Sequence, residues 1–165
     1  MIRLARTADA DSIKFIVLAA FKKYAARLAE PPDPVKQDFN LLVSSNNTHV
    51  LTAGGCIVGT VTCLVEGSDL IMRNLGVHPC HQRRGYGEQL VTFAENEGRR
   101  LGCTSMKFWT REEMVEVHRF YINLGYDKGY TVRTQTRSTT FFSKPLSPPI
   151  KMIPEGQYEY QRQEG

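Results

Sequence analysis

Apolar positions recur along the chain with two different periods, and the points where the period changes divide it into elements. Residues 2–4, Ile-Arg-Leu, read as a short strand. Thr7, with the carboxylates of Asp9 and Asp11 close by, supplies N-cap chemistry for a helix carrying Ile13, Ile16, Val17, Ala20, Phe21 and Tyr24 on one stripe. Glu30-Pro31-Pro32-Asp33-Pro34 breaks that stripe, and Asp33 followed by Pro34 reads as the N-cap and first residue of a second short helix through Val35, Phe39 and Leu42. From His49 the period becomes two. His49 to Ala53, a Gly54-Gly55 turn and the Val/Thr/Ile-rich run 56–66 predict a hairpin, and Gly67-Ser68 turns the chain into a third antiparallel strand over 69–77.

Beyond residue 88 the helical period returns. Leu90, Phe93, Ala94, Glu97, Gly98 and Leu101 share a face; Gly98 permits close packing on a sheet, and Gly102 is placed to end the helix. A strand over 105–110 follows, and a right-handed strand-helix-strand crossover sets it parallel to the strand ending at Val77. Residues 112–124 carry Met114, Val117, His118, Tyr121 and Leu124 at helical spacing up to Gly125. Two more strands, 126–137 and 138–144, complete a domain placed at residues 1–146. Residues 147–165, with Pro148-Pro149 and Pro154, have no period and read as a C-terminal extension.

Between the meander and the long helix lies His78-Pro79-Cys80-His81-Gln82-Arg83-Arg84-Gly85-Tyr86-Gly87-Glu88. A strand that runs through a basic, Gly-containing turn straight into a helix aims unpaired backbone N–H groups, and the positive end of the helix dipole, at one point. That point suits an anion. Gly85 and Gly87 keep side chains out of its way, while Arg83 and Arg84 can add charge-assisted contacts.

Bulk properties narrow the partners. A formal charge of +4 over 165 residues, dispersed along the chain, favours a small anionic ligand over nucleic acid. No apolar run approaches the ~20 residues of a membrane span, and the polar start of the chain points to the cytoplasm. Cys56, Cys63, Cys80 and Cys103 form no CxxC pair and are expected to stay reduced. Cys80, His81, Cys103 and His118 match no usual zinc spacing, so no metal is expected.

The turn Gln82-Arg83-Arg84-Gly85-Tyr86-Gly87 resembles the pyrophosphate-binding turn of the GNAT superfamily of acetyl-CoA-dependent N-acetyltransferases. Three further stretches agree in order and separation: Asn74-Leu75-Gly76-Val77-His78-Pro79, Phe120-Tyr121-Ile122-Asn123-Leu124-Gly125-Tyr126 and Phe142-Ser143-Lys144-Pro145-Leu146. The resemblance implies an α/β fold (α+β mixed sheet) of about seven strands and four helices, with a splayed parallel strand pair in its centre. It implies that Gln82, Arg83, Arg84, Gly85, Tyr86, Gly87 and Glu88 hold the CoA pyrophosphate, Glu88 through its amide. Leu75, Gly76 and Val77 would meet pantetheine and the acetyl carbonyl through their backbone. Tyr121, at the family's Tyr position, would be the general acid that protonates the departing thiolate.

The resemblance further implies direct transfer of acetyl from acetyl-CoA to an amine of a small molecule or peptide in a ternary complex, without Cys80 or Cys103 as nucleophile. Nucleic acid and membrane are not expected partners, and a homodimer is compatible with the family. Trp109 and Met114 stand where members that acetylate protein N-termini often carry Glu and Asn, which speaks against that acceptor class. Candidate bases are Glu66 and Asp69, which flank the turn into the strand over 69–77, and His118, one helical turn before Tyr121; an amine that arrives neutral needs none. Trp109 is a candidate wall of the acceptor pocket. Two rival classes stay open: an acyl-CoA-binding sensor or interaction module without efficient turnover, and a nucleotide-binding domain. The second lacks the G-x-x-x-x-G-K-[ST] it would need.

Overall fold

The computed structural model describes residues 1–147, so the extension beginning at 147 lies, from residue 148 onward, outside the described residues. The strands are β1 (Ile2–Leu4), β2 (Thr48–Ala53), β3 (Cys56–Glu66), β4 (Asp69–Val77), β5 (Ser105–Arg111), β6 (Asp127–Arg133) and β7 (Ser138–Pro145). The helices are α1 (Ala10–Phe21), α2 (Phe39–Ser44), α3 (Tyr86–Arg100) and α4 (Val115–Asn123). The strands make one mixed sheet in the order β1-β2-β3-β4-β5-β7-β6, which is the mixed α/β architecture the sequence predicts.

Every neighbouring pair is antiparallel except β4 and β5. Those two pair in parallel only at Asp69↔Ser105, Leu70↔Met106 and Ile71↔Lys107. Beyond Ile71 they diverge, so the C-terminal halves of both strands border an opening in the middle of the sheet.

Strand alternation sorts the core into two layers. Val50 packs with Ile13 and Val17 of α1 and Phe39 and Val43 of α2. Its neighbour Leu51 packs into the other layer with Leu90, Val91 and Ala94 of α3. Ile13 and Leu90 are fully buried, each contributing roughly 1.5–3 kcal/mol relative to an exposed position. α3 lies close to the sheet because Gly98 has no side chain; a Cβ there would sit 2.7 Å from Leu146 Cδ1 and 3.3 Å from Leu70 Cδ2.

Among the boundaries that differ from the sequence reading, three have a plain local reason. α1 ends at Phe21, and Lys22–Tyr24 continue as a tighter 3-10 turn that still buries Tyr24. Asp33 and Pro34 open only a 3-10 turn, Asp33–Lys36, because Gln37 returns to an extended conformation. Asp38 caps α2 instead, its Oδ1 accepting from the N–H groups of Asn40 and Leu41 at 2.9 and 3.1 Å. β6 stops at Arg133, where Thr134 N–H donates to the Arg137 carbonyl at 2.7 Å and closes a tight turn into β7.

Candidate active site

The turn between β4 and α3 is built to leave backbone donors free. Gln82 folds back so that its Nε2 donates to the Val77 carbonyl at 2.9 Å, fixing the exit from β4. Arg83 and Gly85 both take left-handed backbone conformations, with φ 59° and 78°. Gly85 is the N-cap of α3, and a Cβ added there would project into open space. Among the described residues, no backbone carbonyl accepts from the N–H groups of 83–88, and no ion pair occupies the exposed Arg83 or Arg84 side chains. Six peptide N–H groups without an acceptor, a helix N-terminus and two guanidinium groups without an ion pair therefore lie together in this turn.

Just before this turn β4 carries a bulge. The register with β3 shifts between Thr60↔Gly76 and Thr62↔Arg73, so β4 uses one residue more than β3 over the same span. Asn74 absorbs the excess with φ 55°, a conformation in which Asn is better tolerated than most side chains. Its amide is clamped: Gln37 Nε2 donates to Asn74 Oδ1 at 2.7 Å, Asn74 Nδ2 donates to Gln37 Oε1 at 3.0 Å, and Asn74 Nδ2 also reaches Thr62 Oγ1 at 3.3 Å. Leu75, Gly76 and Val77 follow the bulge on the edge that β5 has left, so backbone groups on that edge are free.

Turn, bulge and the parting strands enclose one cavity of about 810 Å³, bordered by Gln82, Arg83, Gly85 and Gly87 at one end and by Tyr121. Tyr121 is 6 % exposed and packs against Phe108, Phe120 and Tyr126. Its hydroxyl makes no hydrogen bond among the described residues. Burial, with a smaller contribution from Tyr24, raises the Tyr121 pKa above that of an ordinary phenol. Tyr24 borders the same cavity, and burial, aided by Glu116, pushes its phenol up to about 12.

The end of the cavity away from the turn is formed where the segment between α1 and α2 meets β5, β7 and the start of α4. Phe108 turns into the α3 and α4 layer, while Trp109 and Arg111, at odd positions of the same strand, take the opposite face. Trp109 is 36 % exposed, and the Arg73 guanidinium lies over its ring at 4.6 Å. Two ion pairs fasten the segment after α1 across this end. Arg27 donates two hydrogen bonds to Glu116 at 2.9 and 2.8 Å, and Arg137 pairs with Asp33. Asn74, Gln37, Arg111, Arg137 and Asp33 are the site residues that sequence pattern alone misses.

The structure does not bring the expected bases to Tyr121. Glu66 and Asp69 sit where β4 and β5 are joined, whereas the cavity lies where they have parted. Asp69 accepts from Ser105 Oγ and Lys107 Nζ, both at 2.5 Å. The Lys107 contact first, then Ser105, holds its carboxyl below the usual range. Glu66 faces Arg73 at 3.7 Å. His118 is buried, its Nε2 3.0 Å from the Arg111 carbonyl, and burial lowers its pKa. None of the three borders the cavity. Among the described residues, no group of three or more His, Cys, Asp or Glu is placed to hold a metal ion, and no helix is long and apolar enough to cross a membrane.

A model of the acetyltransferase (GNAT) family matches residues 14–126. No curated protein gives a match. Among solved structures, the chain is similar to the ribosomal-protein-S18-alanine N-acetyltransferase from Escherichia coli, at 18 % identity over 93 % of this chain and 97 % of that one, with a TM-score of 0.72. It is similar to YncA, a putative acetyltransferase from Salmonella typhimurium with its cofactor acetyl-CoA, at 20 % identity over 90 % of this chain and 95 % of that one, with a TM-score of 0.69. PaiA N-acetyltransferase from Thermoplasma acidophilum, in complex with coenzyme A, matches at 12 % identity over 88 % of this chain and 98 % of that one, with a TM-score of 0.72. At these identities the likeness is one of fold.

Proposed function

The chain belongs to the acetyltransferase (GNAT) family, and from that premise we propose that it transfers acetyl from acetyl-CoA to the nitrogen of an amine by direct attack in a ternary complex. The observation that carries this reading is the cavity between the parted strands, which has a peptide-lined anion cradle at one end and a buried, unpartnered phenol on its wall.

The residues fit acetyl-CoA. The unpaired N–H groups of 83–88, with Arg83 and Arg84, would hold the pyrophosphate, Gln82 holding the turn in place and Tyr86 opening the helix. The free edge of Leu75, Gly76 and Val77 would take the amide groups of pantetheine, and one N–H there would donate to the acetyl oxygen. Acetyl-CoA supplies the thioester as electrophile and a thiolate as leaving group.

Tyr121 holds the proton that the thiolate needs. A phenol raised above its ordinary pKa stays protonated throughout the working range. The thiolate forms in the same buried surroundings, which raise its basicity as well, so donation to sulfur is not opposed by the full difference seen in water. The amine has the other proton problem: at pKa ~10 its deprotonation costs ~4 kcal/mol near neutral pH. Asp33 and Glu116 border the acceptor end but are held in ion pairs. The amine is therefore bound neutral, with its proton released to water.

That lack of a free carboxylate also favours the rival reading, an acyl-CoA-binding module without efficient turnover. Thiol release from acetyl-CoA over a panel of amino acids, polyamines, aminoglycosides, arylamines and peptides decides between them. Amine-dependent release with an N-acetylated product is the expected result. Binding of acetyl-CoA with no amine-dependent release across the panel would favour the module.

A further inference from the structure

At the acceptor end of the cavity, the shielded side-chain atoms without a hydrogen-bond partner are mostly donors, and those donors are guanidinium N–H groups. Arg111, at the end of β5, is 4 % exposed and borders the cavity. Its Nη2 donates one long hydrogen bond to the Thr136 carbonyl at 3.3 Å, while its Nε and Nη1 are shielded from solvent and have no partner. Arg137 borders the same space, and its Nε is also shielded and unpartnered. The two residues are neighbours because β7 pairs with β5, Arg111 opposite Thr139.

Against these three donors stands one acceptor without a hydrogen bond, Glu113 Oε2, which forms a long ion pair with Arg111 Nε at 3.8 Å, beyond hydrogen-bond reach. The carboxylates that border this end, Asp33 and Glu116, are already paired with Arg137 and Arg27. A second ammonium on an acceptor would find no unpaired carboxylate lining this end. A planar anion would find the forked N–H donors it matches. A buried guanidinium with unmade hydrogen bonds is costly to a fold, and at a cavity wall a ligand can relieve that cost.

We infer that the acceptor is a small amine carrying a carboxylate, of the amino-acid type, whose carboxylate is seated by Arg111 and Arg137. This rests on the reading of the cavity as an acetyl-transfer site. Entry exchanges the Asp33–Arg137 pair for a ligand–Arg137 pair. Trp109, Met114 and Tyr24, which border the same end, give an apolar wall for the acceptor's side chain.

The test compares acid and amide twins on the full chain saturated with CoA. N-acetyl-L-leucine and N-acetyl-L-phenylalanine are titrated beside their carboxamides, followed by calorimetry and by the fluorescence of Trp109, the chain's single tryptophan. The acids are expected to bind at least about tenfold more tightly than the amides. Arg111→Gln should remove most of that preference and leave acetyl-CoA affinity as it was. Should Arg111→Gln fail to fold, Arg137→Gln gives the same reading, and the wild-type twins decide without either. Equal binding of acids and amides, or no binding of either at millimolar concentration, overturns the carboxylate seat. Preference for acids without thiol release from any amine would sink the transfer reading and keep the seat. Thiol release that is as fast with amines lacking a carboxylate would keep transfer and sink the seat.

Discussion

Gln37 and Asn74 exchange two amide hydrogen bonds, at 2.7 and 3.0 Å, and in doing so hold Asn74 in a left-handed conformation in the middle of β4. The clamp joins the segment before α2 to the bulge that precedes Leu75, Gly76 and Val77, so the free edge of the cavity depends on a side chain 37 residues away.

Gln37→Ala leaves the Asn74 amide partly unpaired in a buried position and is expected to lower stability by about 1–3 kcal/mol and to raise the KM for acetyl-CoA. Asn74→Ala should cost roughly 1 kcal/mol more than Asn74→Gly, because only glycine takes the left-handed region without penalty. Urea unfolding of the three variants measures both effects; equal stabilities for Asn74→Ala and Asn74→Gly would mean that the bulge relaxes without its left-handed residue.

Acetyl-CoA at one hundred times its Kd should stabilise the fold by about 2.7 kcal/mol, a rise in Tm of roughly 5–10 °C for a chain of this size. Gly85→Glu should abolish the rise, since the new side chain is strained at φ 78° and brings a like charge to the anion cradle. Full retention of the shift by that variant would remove the turn from the binding site.

Tyr121→Phe should lower kcat by about two to four orders of magnitude with little change in acetyl-CoA affinity. The pH profile has a definite sign. The Tyr121 phenol is raised above ~10, so its acid form is complete at every lower pH. kcat/KM should climb with pH as the amine loses its proton and show no falling limb below pH ~10. A falling limb near pH 8, or an unaltered kcat in Tyr121→Phe, would demote Tyr121 to packing.

Asp9 offers a stability test away from the cavity. Arg3 donates to its carboxylate at 2.7 and 3.0 Å, and Arg6 N–H donates at 2.7 Å. The Arg3 hydrogen bond, more than the Arg6 amide, holds the folded pKa below its ordinary value. A depressed carboxylate stabilises the fold above its unfolded pKa of ~3.9 and loses that contribution as pH falls through the folded value. Asp9→Asn should therefore cost about 1–3 kcal/mol at pH 7, with the gap to wild type constant above pH ~5 and narrowing below pH ~4. A gap independent of pH would show that shape, not charge, makes Asp9 matter.

The parts of the site legible in the sequence are those fixed by local backbone chemistry. Gly85 and Gly87 between a strand and a helix, Gln82 before them and Tyr121 near the end of its helix all act within their own segments. The meander and the crossover, which place turn and phenol on one opening, follow from the change of hydrophobic period. The bulge was not legible, because Asn74-Leu75-Gly76 reads as plain strand until Gln37 is brought against it. Glu66 and Asp69 were plausible by proximity to β4, but on a strand rising ~3.3 Å per residue Asp69 stands ~26 Å from Val77 along its length. Asp33 looked like a helix cap; the extended Gln37 gives that role to Asp38 and frees Asp33 for Arg137, 104 residues away. Arg111 and Arg137 become neighbours only through the placing of β7 between β5 and β6, an order that periodicity does not encode.

Initial rates of thiol release with acetyl-CoA and a carboxylate-bearing amine both varied, the N-acetylated product being confirmed by mass, test direct transfer in the cavity most directly. Intersecting reciprocal plots, one N-acetylated product per thiol and no acetyl label left on the protein are the predicted result. Parallel plots with an acetylated protein, or thiol release that does not depend on the amine, would contradict it.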